Sequence, residues 1–233
     1  MNRNPIFPYT LIDLTHTLTS EIPSWGGGCG FHQQIKLDYH DCTSEVKFRV
    51  HQLKLHAGIG THIDAPRHCI PDGKSMDQLD LKELMAPCVV IDVSDKAHET
   101  YSVTPEDIEQ FENQYGMLPS GSCVIICTGW ERFWEQPEKY RNNYFFPTVD
   151  KKTAELLLKK DICGLGIDTL SPDRPRDGFP VHNLILGNGK YIIENVANAL
   201  KMPPLGSYIL ALPLKIKDGT EAPARLIGMI PTH

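Results

Sequence analysis

The apolar residues of this chain fall in short runs rich in β-branched side chains, and that pattern limits the fold more than any other feature. Residues 10–14, 46–55, 88–93, 123–128, 162–168, 191–196 and 208–211 form such runs, each four to ten residues long. Gly, Pro, Asp or Ser bounds each of them, as is usual for strands. Helical spacing is clearest in two places. Thr104-Pro105-Glu106-Asp107 opens one helix with a Thr N-cap, a Pro in the first turn and early acids, followed by Ile108 and Phe111. The other covers about 150–160, with Ala154, Leu157 and Leu158 inward and Lys159 and Lys160 at its C-terminal end. Strands outnumber the helices interspersed among them, which predicts a single mixed-sheet α/β domain spanning 1–233. The stretches 24–30, 131–147 and 171–181 read as long loops, and loops of such length in a compact domain usually carry function.

Composition narrows the partners. The formal net charge is −6, with no cluster of Lys or Arg able to track phosphates, so neither nucleic acid nor an anionic membrane is expected as a partner. No segment approaches the roughly 18 apolar residues of a membrane span, and the opening residues lack a secretory pattern, so a cytoplasmic protein is expected. The seven cysteines are odd in number, scattered, and without a C-x-x-C pair, which argues for reduced thiols and against a structural zinc ribbon.

The segment most informative about chemistry is His56-Ala57-Gly58-Ile59-Gly60-Thr61-His62-Ile63-Asp64-Ala65-Pro66-Arg67-His68-Cys69. Extended through Asp64, it would present His56, Gly58, Gly60, His62 and Asp64 on one face, with Ile59 and Ile63 turned into a core. Imidazole and carboxylate at i and i+2 can converge on one cation, and Pro66 would turn the chain so that His68 returns over the site. A surface pair beside a glycine bulge is an equally simple reading of the residues alone. Downstream, His182 follows a Pro-containing loop, and Glu194 ends the run Tyr191-Ile192-Ile193, where a buried carboxylate would need a partner. A helix cap near Asn195, or an Arg pair, would also supply one.

Taken together, these segments resemble the cyclase-like metal-dependent hydrolase family, which includes kynurenine formamidase and isatin hydrolase, over nearly the whole chain. Ile12-Asp13-Leu14-Thr15-His16 is similar to the family's first strand, and Gly60–His68 follows its G-T-H-x-D-x-P-x-H signature. Cys127-Thr128-Gly129-Trp130 and Gly164-Leu165-Gly166-Ile167-Asp168-Thr169 look like further family segments. The resemblance implies a mixed sheet of the cyclase, swivelling β/α type. It also implies that His62, Asp64, His182 and Glu194 ligate a divalent metal, Zn or Mn, at one or two ions per chain. His68 would be the general acid/base, and Trp25 would contact a small-molecule substrate of aromatic character. The reaction implied is hydrolysis of a C–N bond in an amide, formamide or lactam by metal-activated water, in a homo-oligomer.

One position departs from the pattern: formamidase-like members carry a further His where this chain has Gly58. His56 shares that face but lies about 6.5 Å further along an extended chain. Two ions bridged by Asp64 and Glu194, or one ion held by all four donors, are both compatible with the residues that remain. A family member that binds a metal or small ligand without turnover is the alternative reading. A cysteine nucleophile would need Cys69 beside His68, yet on an extended chain Cys69 points elsewhere. Trp25, Phe31, Trp130 and Trp134 suggest a flat ligand, and Asp92 and Asp168 read as turn and hydrogen-bonding residues.

Overall fold

A computed structural model describes residues 7–232. The strands are β1 (Tyr9–Asp13), β2 (Phe31–Leu37), β3 (Val50–Leu55), β4 (His62–Asp64), β5 (Met85–Asp92), β6 (Ser102–Val103), β7 (Cys123–Cys127), β8 (Thr148–Val149), β9 (Gly164–Ile167), β10 (Tyr191–Glu194), β11 (Ser207–Pro213) and β12 (Glu221–Pro231). The helices are α1 (Leu81–Leu84), α2 (Pro105–Tyr115), α3 (Pro137–Arg141), α4 (Lys151–Lys159) and α5 (Pro180–Gly187). Eight strands form one sheet in the order β1-β12-β11-β5-β7-β9-β10-β4, and β12 also pairs with β4. All but β1 thereby close into a barrel. The neighbours β5, β7, β9 and β10 run parallel, while β4, β11 and β12 pair antiparallel.

Period-two alternation explains why both faces of the parallel strands are covered. Along β7, Cys123, Ile125 and Cys127 point into the barrel, and Val124 and Ile126 point out beneath the helices. The same split divides Tyr191 and Ile193 from Ile192 on β10. Such strands read as unbroken apolar runs because each side chain meets a core. Each fully buried Ile or Leu contributes about 1.5–3 kcal/mol relative to exposure. A third cluster, with Phe31, Trp130, Trp134, Tyr140 and Phe146, packs beneath the loops.

Both expected helices form: Thr104 caps α2 through a reciprocal box with Asp107, and the Asp150 side chain accepts from Lys152 N at the start of α4. Three elements are not legible as periodic runs. The longest strand, β12, reads Glu-Ala-Pro-Ala-Arg at its start, and Pro223 ordinarily argues against a central strand. It is tolerated beside the three-residue β4, and its carbonyl still accepts from Leu214 N at 3.2 Å. The helix α5 is too short for periodicity to show, and β2 is polar along most of its length. The strand expected over 46–55 begins only at Val50, and the loop 131–147 contains α3.

Gly164 is required by close approach: a Cβ there would lie 2.3 Å from Tyr191 Cε2. The Tyr191 ring is fully buried and tethered by its hydroxyl to Glu83 O at 2.9 Å, so it cannot swing away. Gly164→Ala should therefore cost about 1–3 kcal/mol through overpacking. Urea unfolding would read this as a lowered midpoint at constant slope; an unchanged midpoint would mean that the ring has room to move.

Candidate metal centre

Antiparallel pairing sets Glu194 of β10 opposite His62 of β4. His62 and Asp64 lie on the same face of β4, while Ile63 between them is fully buried inside the barrel. The three polar side chains therefore emerge on the outer face, under α5, whose Val181, Ile185 and Leu186 pack with Ile192. That helix delivers His182. Two segments more than a hundred residues apart in sequence thus meet at one point.

The four groups sit at similar separations. His62 Nε2 is 3.5 Å from Asp64 Oδ1 and 3.3 Å from Glu194 Oε2, and His182 Nε2 is 3.6 Å from Asp64 Oδ2 and 3.4 Å from Glu194 Oε1. These spacings are long for hydrogen bonds. Each imidazole faces one oxygen of Asp64 and one of Glu194, and the two imidazoles take opposite oxygens, so the set can serve one cation or two.

Two further contacts fix the tautomers. His62 Nδ1 donates to Gly60 O at 2.8 Å, and His182 Nδ1 to Asp173 Oδ2 at 2.8 Å, which leaves both Nε2 lone pairs facing the carboxylates. Asp173 does a second job: its carboxylate accepts from Val181 N at 3.0 Å and His182 N at 2.8 Å, satisfying the free amides that open α5. Both Asp64 oxygens are buried, and no hydrogen bond reaches either. That orphaned carboxylate is the strongest indication that the donors suit a cation. Burial alone would raise the Asp64 carboxyl, but His182 and His62 hold it well below the usual carboxylate range. Burial would lower both imidazoles, but the facing carboxylates reverse this and raise His62 and His182 well above the ordinary histidine value. Those protons occupy positions that a divalent ion would contest. Ligating atoms of Asp64, His68 and His182 also lie within 4.8 Å of one another, as do those of His62, Asp64 and Glu194.

The signature's remaining residues are structural. Gly60 has φ +66°, and its carbonyl also accepts from Asn195 Nδ2 at 2.9 Å. Thr61 Oγ1 donates to Asn195 O at 2.6 Å and accepts from His16 N at 3.0 Å, tying the opening His16 segment to the end of β10. The extended face expected from His56 to Asp64 therefore holds only over β4. Gly60 breaks it and packs against Leu18, not against the cavity. Asn195 continues into a turn and Glu194 caps no helix. Asp168 accepts from Thr128 N, Thr128 Oγ1 and Trp130 N, which joins the two other family-like segments. Burial pushes its carboxyl up to about 6 against the pull of Thr128. Asp92 is a turn residue, accepting from Ser94 N.

Beside the cluster lies a cavity of about 490 Å³, reached by Trp25, His56, Gly58, His68, Cys69, Phe179 and Glu221. His68 ends the turn Pro66–His68, its side chain one-third exposed and its Nδ1 3.4 Å from Glu221 Oε2. Glu221 raises the His68 imidazole, against the opposing effect of burial. Trp25 packs on Tyr144 and Phe179, with ring centroids 4.8 and 6.0 Å apart. Phe31, Trp130 and Trp134 are buried in the third core cluster, so of the four expected aromatic residues only Trp25 borders the cavity. Contrary to expectation, the turn brings Cys69 to the cavity wall, where Sγ lies 3.6 Å from His182 O. Burial raises its thiol, which disfavours the thiolate a nucleophile needs. No sequence motif marks Asp173 or Glu221. Their only signals are the long loop 171–181 and an isolated acid at the start of β12.

The family described as putative cyclase matches residues 12–174. An isatin hydrolase from Roseibium aggregatum is 32% identical over 188 residues, 74% of this chain and 71% of that one. A kynurenine formamidase from Bacillus cytotoxicus is 30% identical over 224 residues, 93% of this chain and 95% of its own length. The solved structure of isatin hydrolase A from Labrenzia aggregata, bound to benzyl benzoate, superposes with a TM-score of 0.86 at 28% identity, covering 97% of this chain and 95% of that one.

Asp173→Asn should weaken divalent-metal binding about 10- to 100-fold, because the His182 Nδ1–H would lose its carboxylate acceptor. Calorimetric titration of the metal-stripped variant with Mn²⁺ or Zn²⁺ checks this; wild-type affinity would show that Asp173 serves the helix alone.

Proposed function

Because the chain belongs to the putative cyclase family, we propose that it is a metal-dependent amidohydrolase that opens a C–N bond of a small aromatic amide, formamide or lactam. The observation that carries this reading is the meeting of His62, His182 and Glu194 around the buried Asp64 carboxylate, which no hydrogen bond satisfies. Those four side chains would hold the ion, Zn or Mn, at one or two per chain. When bound, a divalent cation polarises the scissile carbonyl and makes water a competent nucleophile near neutral pH.

The chain's own residues do the rest. Trp25 and Phe179 form an apolar wall on which a flat substrate lies beside the donors. His68, engaged through Nδ1 by Glu221, keeps Nε2 free to take a proton from water and return it to the departing nitrogen. The names of the relatives, isatin hydrolase and kynurenine formamidase, support an aryl amide or cyclic imide as substrate class. Cytoplasmic residence fits seven cysteines that form no disulfide, and among the described residues no helix is long and apolar enough to cross a membrane.

Elemental analysis of wild type beside His62→Ala and Glu194→Ala tests the centre. About one or two Zn or Mn per chain in the wild type, lost from both variants, is expected. Metal kept by both would break the link between the two segments and favour a ligand-binding protein without turnover. His68→Ala should retain the ion and lose about 10²- to 10⁴-fold in turnover of an aryl formamide; full activity would remove His68 from the mechanism.

We also read the protein as a homo-oligomer. The hairpin β2–β3 exposes Ile35, Val50 and Leu53, and a two-stranded ribbon is marginal on its own in water. Sedimentation should give more than one chain per particle, and Leu53→Glu with Ile35→Glu should dissociate it. A wild type that sediments as one chain would refute this.

A further inference from the structure

We propose that Glu221 is a fifth protein donor to the cation, reaching it through the space that Gly58 leaves open. The inference rests on the reading of the centre given above. Register sets Glu221 on β12 directly opposite Asp64 on β4, so both side chains emerge on one face of the sheet. A Cβ at position 58 would lie 2.3 Å from Glu221 Oε1 and 3.3 Å from His62 Nε2. The carboxylate thus fills the volume through which any side chain at 58 would approach His62. Its other oxygen, Oε2, faces His68 Nδ1 at 3.4 Å and Thr220 Oγ1 at 3.4 Å, which leaves Oε1, the oxygen nearest Gly58, without a hydrogen bond among the described residues.

Charge points the same way. Asp64, Glu194 and Glu221 all line a cavity whose wall contains no Lys or Arg among the described residues. Only imidazoles stand against these three carboxylates, and Asp64 lacks any hydrogen bond. A divalent cation in contact with all three relieves both problems. With Glu221 included, the donors are two imidazoles and three carboxylates, an oxygen-rich set that favours Mn²⁺ relative to Zn²⁺ more than a nitrogen-rich one would. The carboxylate also joins the cation to His68, so metal occupancy and the orientation of the proton carrier are linked through one side chain.

Metal-stripped wild type, Glu221→Ala, Gly58→His and the double variant would be titrated with Mn²⁺ and with Zn²⁺ by calorimetry, after thermal unfolding has shown each to be folded. Glu221→Ala should lose about tenfold or more in Mn²⁺ affinity. Gly58→His alone should also lose affinity, because its side chain and the carboxylate compete for one space. The double variant should recover much of the loss, with preference shifted toward Zn²⁺, giving coupling of opposite sign to the single effects. Should Glu221→Ala not fold, the near-isosteric Glu221→Gln carries the same expectation of weakened Mn²⁺ binding. Mn²⁺ affinity within twofold of wild type in the folded Glu221 variant overturns the inference while leaving the four-donor centre intact. A wild type that binds neither ion refutes the centre itself, and this inference with it.

Discussion

Burying an ionised carboxylate costs several kcal/mol unless opposite charge or hydrogen bonds compensate, and Asp64 is buried with neither oxygen hydrogen-bonded. The arrangement around it answers that cost. Two imidazoles face it, each locked by its Nδ1 with Nε2 turned inward, and a second carboxylate stands across from both. Imidazole nitrogens 3.3–3.6 Å from the carboxylate oxygens they face are poorly served by protons and well served by a small cation.

The barrel is what holds such a set in place. The short β4 is clamped on both edges, by β10 and by β12, so His62 and Asp64 cannot twist away from Glu194. Thr61 and Asn195 tie the same junction to the His16 segment, and Asp168 with Tyr140 braces it from below. None of these residues touches the cluster of donors through its side chain, yet each restricts a backbone that carries one. Asp173 shows the economy of the design, since one carboxylate both opens α5 and orients the histidine on it.

The cavity divides its chemistry by wall. Trp25 and Phe179 supply an apolar surface, and His68, Glu221 and the donor cluster supply the polar side. A ligand with a flat apolar body and a carbonyl at one end satisfies both, whereas a flexible polar chain would leave the aromatic surface unused. The remaining large aromatics serve the core, and their burial with Tyr140 and Phe146 stiffens the loops above the barrel.

How much of this was legible in the chain follows from the range over which each signal acts. Periodicity revealed β5, β7, β9 and β10 and the helices α2 and α4, because strands buried on both faces and capped helices are written locally. The Gly-Thr-His-Ile-Asp segment announced its own cluster for the same reason, and resemblance alone linked it to His182 and Glu194. Only the tertiary structure decided that Pro223 lies in a barrel strand, that Gly60 breaks the extended face, and that Cys69 turns to the cavity. Asp173 and Glu221 join the site through a loop and a strand register. Such contacts join residues far apart in sequence through barrel closure, and no local pattern of apolar and polar residues records them.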